Sequence, residues 1–159
     1  MTDSPSQLDE ICNRIKDMDD GERAALMEDV DKSTGDMKWV PNPGPQTDAY
    51  LSDADVLLYG GQAGGGKTHF ELGWGVNESN NGIIFRRELS QTDGLENEGK
   101  SIIGEDASFN GQKLEWTWPS GKKLKLGGMK DPDSWNSHAG RERDYVSFDE
   151  AGEFLELQV

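Results

Sequence analysis

Eight consecutive residues, Gly61-Gln62-Ala63-Gly64-Gly65-Gly66-Lys67-Thr68, limit what this chain can fold into more than any other part of it. They fit G-x-x-x-x-G-K-[ST] at every fixed position. The glycines let successive backbone N–H groups turn inward around a phosphate with no Cβ in the way. A helix beginning at the end of the loop would add further N–H groups and the positive end of its dipole. The flanks suit that context. Val56-Leu57-Leu58-Tyr59 is a short apolar run that predicts a buried strand, and residues 67–75 predict a helix weakened at its end by Gly73 and Gly75. Lys67 would bridge the β- and γ-phosphates of a nucleotide, and the Thr68 hydroxyl would ligate Mg²⁺. The expected binding set is therefore Gly61, Gln62, Ala63, Gly64, Gly65, Gly66, Lys67 and Thr68.

A second motif adds chemistry. Tyr145-Val146-Ser147-Phe148 reads as a strand, and it ends in the adjacent acids Asp149 and Glu150, with Asp149 82 positions after Lys67. An aspartate at a strand end can hold Mg²⁺ through water. A glutamate beside it can orient and deprotonate an attacking water. Asp149 is thus the second expected metal residue after Thr68, and Glu150 and Lys67 are the expected catalytic residues. Adjacent Asp-Glu favours hydrolysis over transfer to a small acceptor. Gln46, 15 residues before Gly61, carries an amide that can both donate to and accept from an adenine edge, which would select ATP. Trp39 and Tyr50 are candidates to stack on the base, with linker or core packing the favoured role for both.

Composition excludes several alternatives. The 159 residues suffice for one domain and not comfortably for two. No apolar run approaches the length of a membrane span, and the acidic, polar start does not resemble a signal peptide. A single cysteine, Cys12, rules out an intramolecular disulfide, and two histidines, His69 and His138, argue against a zinc hydrolase. The net charge of −15 argues against nonspecific nucleic-acid binding by this chain alone.

Residues 1–38 read as an N-terminal helical hairpin and 39–159 as the main domain. Ser4-Pro5-Ser6-Gln7 and Asp19-Asp20-Gly21-Glu22 each look like helix starts. The second would begin a helix with Ala25, Leu26, Met27 and Val30 partly on one face. Residues 31–48 read as a linker, because Pro41, Pro43 and Pro45 lack the amide donor of a regular helix. Gly82-Ile83-Ile84-Phe85 predicts a strand and residues 90–104 a helix. Lys113–Trp118 and Lys122–Leu126 alternate on either side of Pro119-Ser120-Gly121. They predict a hairpin with Leu114, Trp116, Trp118, Leu124 and Leu126 on one face. Lys122, Lys123 and Lys125 are read as a solvated strand face.

These blocks, in this order, resemble the ATPase part of the terminase large subunit, the DNA-packaging motor of tailed bacteriophages. The matching stretches are Pro43-Gly44-Pro45-Gln46-Thr47, the run from Leu57 to Thr68, Ile83-Ile84-Phe85-Arg86-Arg87, Trp118-Pro119-Ser120-Gly121-Lys122-Lys123-Leu124, and Ser137 to Ala151. They span about residues 39–157. The resemblance implies an α/β P-loop NTPase of the additional-strand, RecA-like kind, with a mostly parallel sheet and helices on both faces. It implies ATP and Mg²⁺ as cofactors. Its implied partners are double-stranded DNA, a portal protein and a terminase small subunit, with a homo-oligomeric ring acting in the host cytoplasm and no membrane.

Two departures from the family pattern stand out. Many members carry Arg or Lys early in the phosphate loop, where this chain has Gln62-Ala63-Gly64; Arg86, Arg87, Arg141 and Arg143 are the candidate substitutes, with an exposed salt bridge the equal alternative for each. The family also continues past the acid pair into another strand, a coupling motif and a nuclease domain. The resemblance therefore predicts that this chain is a fragment, a split gene product or a truncated frame. The alternatives are another RecA-like ATPase, such as a helicase or recombination motor, and a non-catalytic nucleotide-binding piece.

Overall fold

Asp19-Asp20-Gly21-Glu22 starts a helix by reciprocal capping, as its spacing predicts. Asp19 N donates to Glu22 Oε2 (3.0 Å) and Glu22 N to Asp19 Oδ1 (2.8 Å), which satisfies two amides that the helix itself leaves without partners. The computed structural model describes residues 16–61 and 64–154. The helix expected from Ser4 onward lies outside the described residues up to residue 15, and its end at Lys16 and Asp17 is helical. The chain divides into two units, Met1–Met37 and Lys38–Val159. In the first, helix α1 (Asp20–Thr34) runs into the stretch read as linker, and Leu26, Met27 and Val30 along it are exposed.

Near the start of the second unit, Trp39 and a proline-rich turn lead into a short helix, α2 (Pro45–Tyr50). The expectation that Pro45 and Gln46 lie outside regular helix is corrected here. Pro45 opens the helix, where the missing N–H costs nothing because first-turn amides have no intrahelical partner. Helix α3 (Lys67–Glu78) follows the glycine loop, strand β1 (Asn81–Arg86) comes next, and a 3-10 turn leads into helix α4 (Asp93–Ile103). Strands β2 (Ser108–Asn110), β3 (Glu115–Thr117), β4 (Lys123–Gly128) and β5 (Tyr145–Phe148) complete a five-stranded sheet in the order β2-β3-β4-β1-β5.

The hairpin forms as the alternation predicts. Trp116 lies opposite Leu124, Gly121 takes φ 89° in the turn, and Trp116, Leu124 and Leu126 are buried. Strand β1 is parallel to both of its neighbours, with Ile84 beside Leu126 and beside Ser147. The sheet is mixed rather than mostly parallel, because β2, β3 and β4 pair antiparallel. The two long helices of this unit also share one face. Leu72 and Val76 of α3 and Leu95 and Ile103 of α4 pack with Ile84, Trp116, Leu124 and Leu126. The opposite face, Ile83 and Phe85, is covered by Met129, Phe148 and Phe154 without a long helix among the described residues. The expectation of helices on both faces is corrected accordingly.

Helix α3 also runs past its expected end, through Gly73 and Gly75. A Cβ on Gly73 would come within 2.0 Å of Trp39 Cδ2, and one on Gly75 within 3.0 Å of Leu124 Cδ1. These glycines do not break the helix; they let an indole and the sheet lie against its backbone.

One predicted strand does not form. Val56-Leu57-Leu58-Tyr59 has no regular structure and no partner strand, and Val56 and Leu58 are 88% and 87% exposed. An apolar run becomes a strand only where a sheet edge pairs with it, and none of the five strands does so.

Candidate functional site

The phosphate loop and the acid pair meet where α3 starts and β5 ends. Gly64 and Gly66 sit at φ 81° and 70°, left-handed conformations that a side chain resists. A Cβ on Gly66 would also fall 2.5 Å from Gln46 Nε2. Gln62 and Ala63 lie outside the described residues. Lys67 Nζ donates across the loop to Gly61 O (3.0 Å). No side chain caps the start of α3, the arrangement in which first-turn amides and the helix dipole face an anion.

Gln46 belongs to this site through the main chain. It is buried, its Oε1 accepts from Asn42 N (2.7 Å), and its Nε2 donates to Gly66 O (2.9 Å). The amide thus braces the glycine that begins α3, and it keeps one further hydrogen and one lone pair for another partner. Trp39 is packed in the core: it is 6% exposed, donates from Nε1 to His69 Nδ1 (2.8 Å) and rests against Phe70 and Tyr50. Tyr50 OH hydrogen-bonds the Glu78 carboxylate, and burial, followed by that contact, pushes the phenol up to about 12.

The backbone of β1 places the acids. Asp149 N donates to Phe85 O (2.9 Å), which extends the β1–β5 pairing one residue beyond the strand. Asp149 is 2% exposed, and its Oδ2 accepts from Thr68 Oγ1 at 3.3 Å. The two residues expected to share a cation are therefore in contact, although they lie 81 positions apart. A hydroxyl and a carboxylate oxygen at this spacing fit a hard cation such as Mg²⁺ in donor chemistry. No larger cluster of three or more His, Cys, Asp or Glu is gathered among the described residues.

Arg86 was among the candidate charge-neutralising arginines, but its pairing with both acids was not foreseen. Arg86 ends β1 and donates from Nε and Nη2 to Asp149 Oδ2 (2.9 and 2.6 Å), and its Nη1 lies 3.3 Å from Glu150 Oε2. Burial disfavours the guanidinium charge, but Asp149 and then Glu150 outweigh it and hold its pKa above the usual value. Glu150 itself takes φ 58° and ψ 50°, a left-handed conformation that costs a non-glycine residue roughly 1–2 kcal/mol. Of the four arginines proposed as charge-neutralising groups, Arg86 is the one the structure joins to both acids. Arg87 donates to Glu153 O (2.5 Å), and Arg143 to Asn81 Oδ1 (2.6 Å).

Glu71 is a second group that was missed. Its Oε2 is buried without a hydrogen-bond partner. Burial and then the Asp149 charge push the carboxyl up to about 8, against the opposing pull of Ser147, Arg86 and Lys67. Helical spacing held a usable signal, since Glu71 follows Thr68 by three positions and Lys67 by four, on one face of α3.

The expected solvated role of the hairpin lysines holds for Lys123, which lies near Glu115 (3.9 Å) and is half-exposed. Lys122 instead donates to Val76 O and sits over the Trp118 ring (5.2 Å). No described helix is long and apolar enough to cross a membrane. Comparison with family models, curated proteins and solved structures finds no match.

Proposed function

We propose that this chain binds ATP with Mg²⁺ and is the ATPase part of a phage DNA-packaging terminase large subunit. The observation that carries the ATP reading is the contact between Thr68 and Asp149 (3.3 Å), which unites the glycine loop with the strand-end acids. The terminase reading rests on the order of the sequence blocks. In this reading the glycine loop, the free amides at the start of α3 and the Lys67 ammonium, which now donates to Gly61 O, would hold the triphosphate. Thr68 and Asp149 would hold Mg²⁺, which would supply charge neutralisation at the phosphates. Glu150 orients a water and accepts its proton. Gln46 uses its remaining donor and acceptor on the base while bracing Gly66. The wider assembly, a ring acting on double-stranded DNA with a portal protein and a small subunit in the host cytoplasm, follows from the resemblance.

A second reading is a nucleotide-binding piece without turnover. It is favoured by the engagement of both acids with Arg86. Two substitutions separate the readings. Lys67→Ala is expected to weaken ATP binding at least tenfold in equilibrium titration; unchanged affinity sinks the nucleotide reading. Glu150→Gln is expected to keep ATP affinity and reduce phosphate release at least a hundredfold. If the unsubstituted chain binds ATP but releases phosphate no faster than the Gln variant, the non-catalytic reading stands.

A further inference from the structure

The roles above use Lys67, Thr68, Asp149 and Glu150 and give none to the cation between the acids. Arg86 emerges at the same end of the sheet as both acids, because β1 and β5 are parallel with Phe85 beside Phe148. Three hydrogens converge on one oxygen: Arg86 Nε (2.9 Å), Arg86 Nη2 (2.6 Å) and Thr68 Oγ1 (3.3 Å) all reach Asp149 Oδ2. A carboxylate oxygen has two lone pairs, and the two guanidinium N–H groups are the shorter contacts on Oδ2 (2.9 and 2.6 Å against 3.3 Å from Thr68), so a metal ion reaching Oδ2 must displace part of the fork. The third guanidinium nitrogen reaches Glu150. Arg86 is mostly buried, with 17% of its side chain exposed, so the fork is a packed feature and not a surface ion pair.

We propose that Arg86 is a positioning residue that competes with a divalent cation for Asp149 Oδ2 and, through the same fork, holds Glu150 in its left-handed turn. This rests on the proposed function for the identity of the cation site, and not for the competition itself. Arg86 is the cation in contact with Asp149 and Glu150, and both the Asp149 charge and the opposing Arg86 and Lys67 charges act on Glu71, so losing the guanidinium leaves the acids less compensated. A divalent ion would relieve that imbalance, so removing Arg86 should strengthen metal binding. A purely structural arginine would have the opposite effect or none.

The test uses the full chain with no nucleotide and with Mn²⁺ as the probe, free ion being read by electron paramagnetic resonance. Arg86→Gln is expected to bind Mn²⁺ at least tenfold tighter than the unsubstituted chain, and adding Asp149→Asn should erase the gain. Arg86→Lys keeps the charge and should stay within about threefold of the unsubstituted chain. Equal or weaker binding by a folded Arg86→Gln chain, including no binding by either, overturns the proposal. Should Arg86→Gln fail to fold, the unsubstituted chain provides the readout. Its Arg86 Nε–H resonance is expected to shift as Mg²⁺ saturates the site, and a resonance that stays fixed at saturation, or an absence of binding, overturns the proposal. ATP plays no part in either measurement. Failure of the nucleotide reading would show as ATP affinity indifferent to Lys67→Ala and would leave the metal comparison standing.

Discussion

Glu71 shows how one side chain can set a pH dependence. Its carboxyl is pushed up to about 8 in the folded chain, chiefly by burial, against a usual value of about 4.3 when unfolded. Between those values the folded chain holds a proton that the unfolded chain has released. Stability from this group is therefore present below the unfolded value and falls as pH rises toward 8. Complete ionisation in place would cost at most about 5 kcal/mol, and relaxation and water entry lower that. In EDTA, Glu71→Gln is expected to be about 1–3 kcal/mol more stable than the unsubstituted chain at pH 8.5 and about equal to it at pH 5, by urea denaturation. Parallel pH profiles for the two chains would refute this. At this scale the sequence anticipated that Thr68 and Asp149 come together, because the loop and the strand-end acids each carry a local pattern. It was not legible for Arg86, whose role depends on the register of two strands 63 positions apart.

At the scale of elements, local rules worked where the partners are local. The Asp19–Glu22 capping box and the β3–β4 hairpin each need only a few neighbouring residues, and both form. The run 56–59 failed as a strand because strandedness depends on a distant edge. Gly73 and Gly75 misled for a related reason: propensity marks glycine as a helix weakener by about 1 kcal/mol, whereas here it makes room for Trp39 and Leu124. That conflict gives an opposed pair of outcomes. Gly73→Ala gains propensity but drives a Cβ into Trp39 at 2.0 Å, so a net loss of about 2 kcal/mol is expected. Gly94→Ala, in the first turn of α4 with nothing within 4 Å of the new Cβ, should be neutral or stabilising by up to about 1 kcal/mol. Denaturant midpoints of the two variants check both signs, and a neutral Gly73→Ala would disprove the close approach.

Across the whole molecule, the α/β class was readable because strand and helix patterns alternate along the chain. The strand order was not, since β4 returns parallel to β1 after β2 and β3 have been laid down, and no local pattern encodes that. Glycine loop and acids are contributed by separate stretches of the chain, and the link between them runs through β1, the strand that pairs with both β4 and β5. A disturbance of β1 should therefore reach the site even without touching it. Ile84→Ala, at a fully buried position, is expected to cost about 2–5 kcal/mol and, under the proposed function, to weaken ATP binding together with the sheet, as measured by denaturation and ligand titration on one sample.

The parallel neighbours of β1 also bear on the order in which the molecule assembles. Closing the turn between β3 and β4 spans a few residues, whereas joining β5 to β1 draws in a long intervening segment and costs about 2 kcal/mol more in chain entropy. The hairpin should consequently acquire amide protection early in refolding and Tyr145–Phe148 late, an order that pulsed hydrogen exchange can follow. Asp149 takes its place only when that last strand zips onto Phe85. The Thr68–Asp149 contact is thus withheld from half-folded chains, and its appearance marks the closing of the sheet.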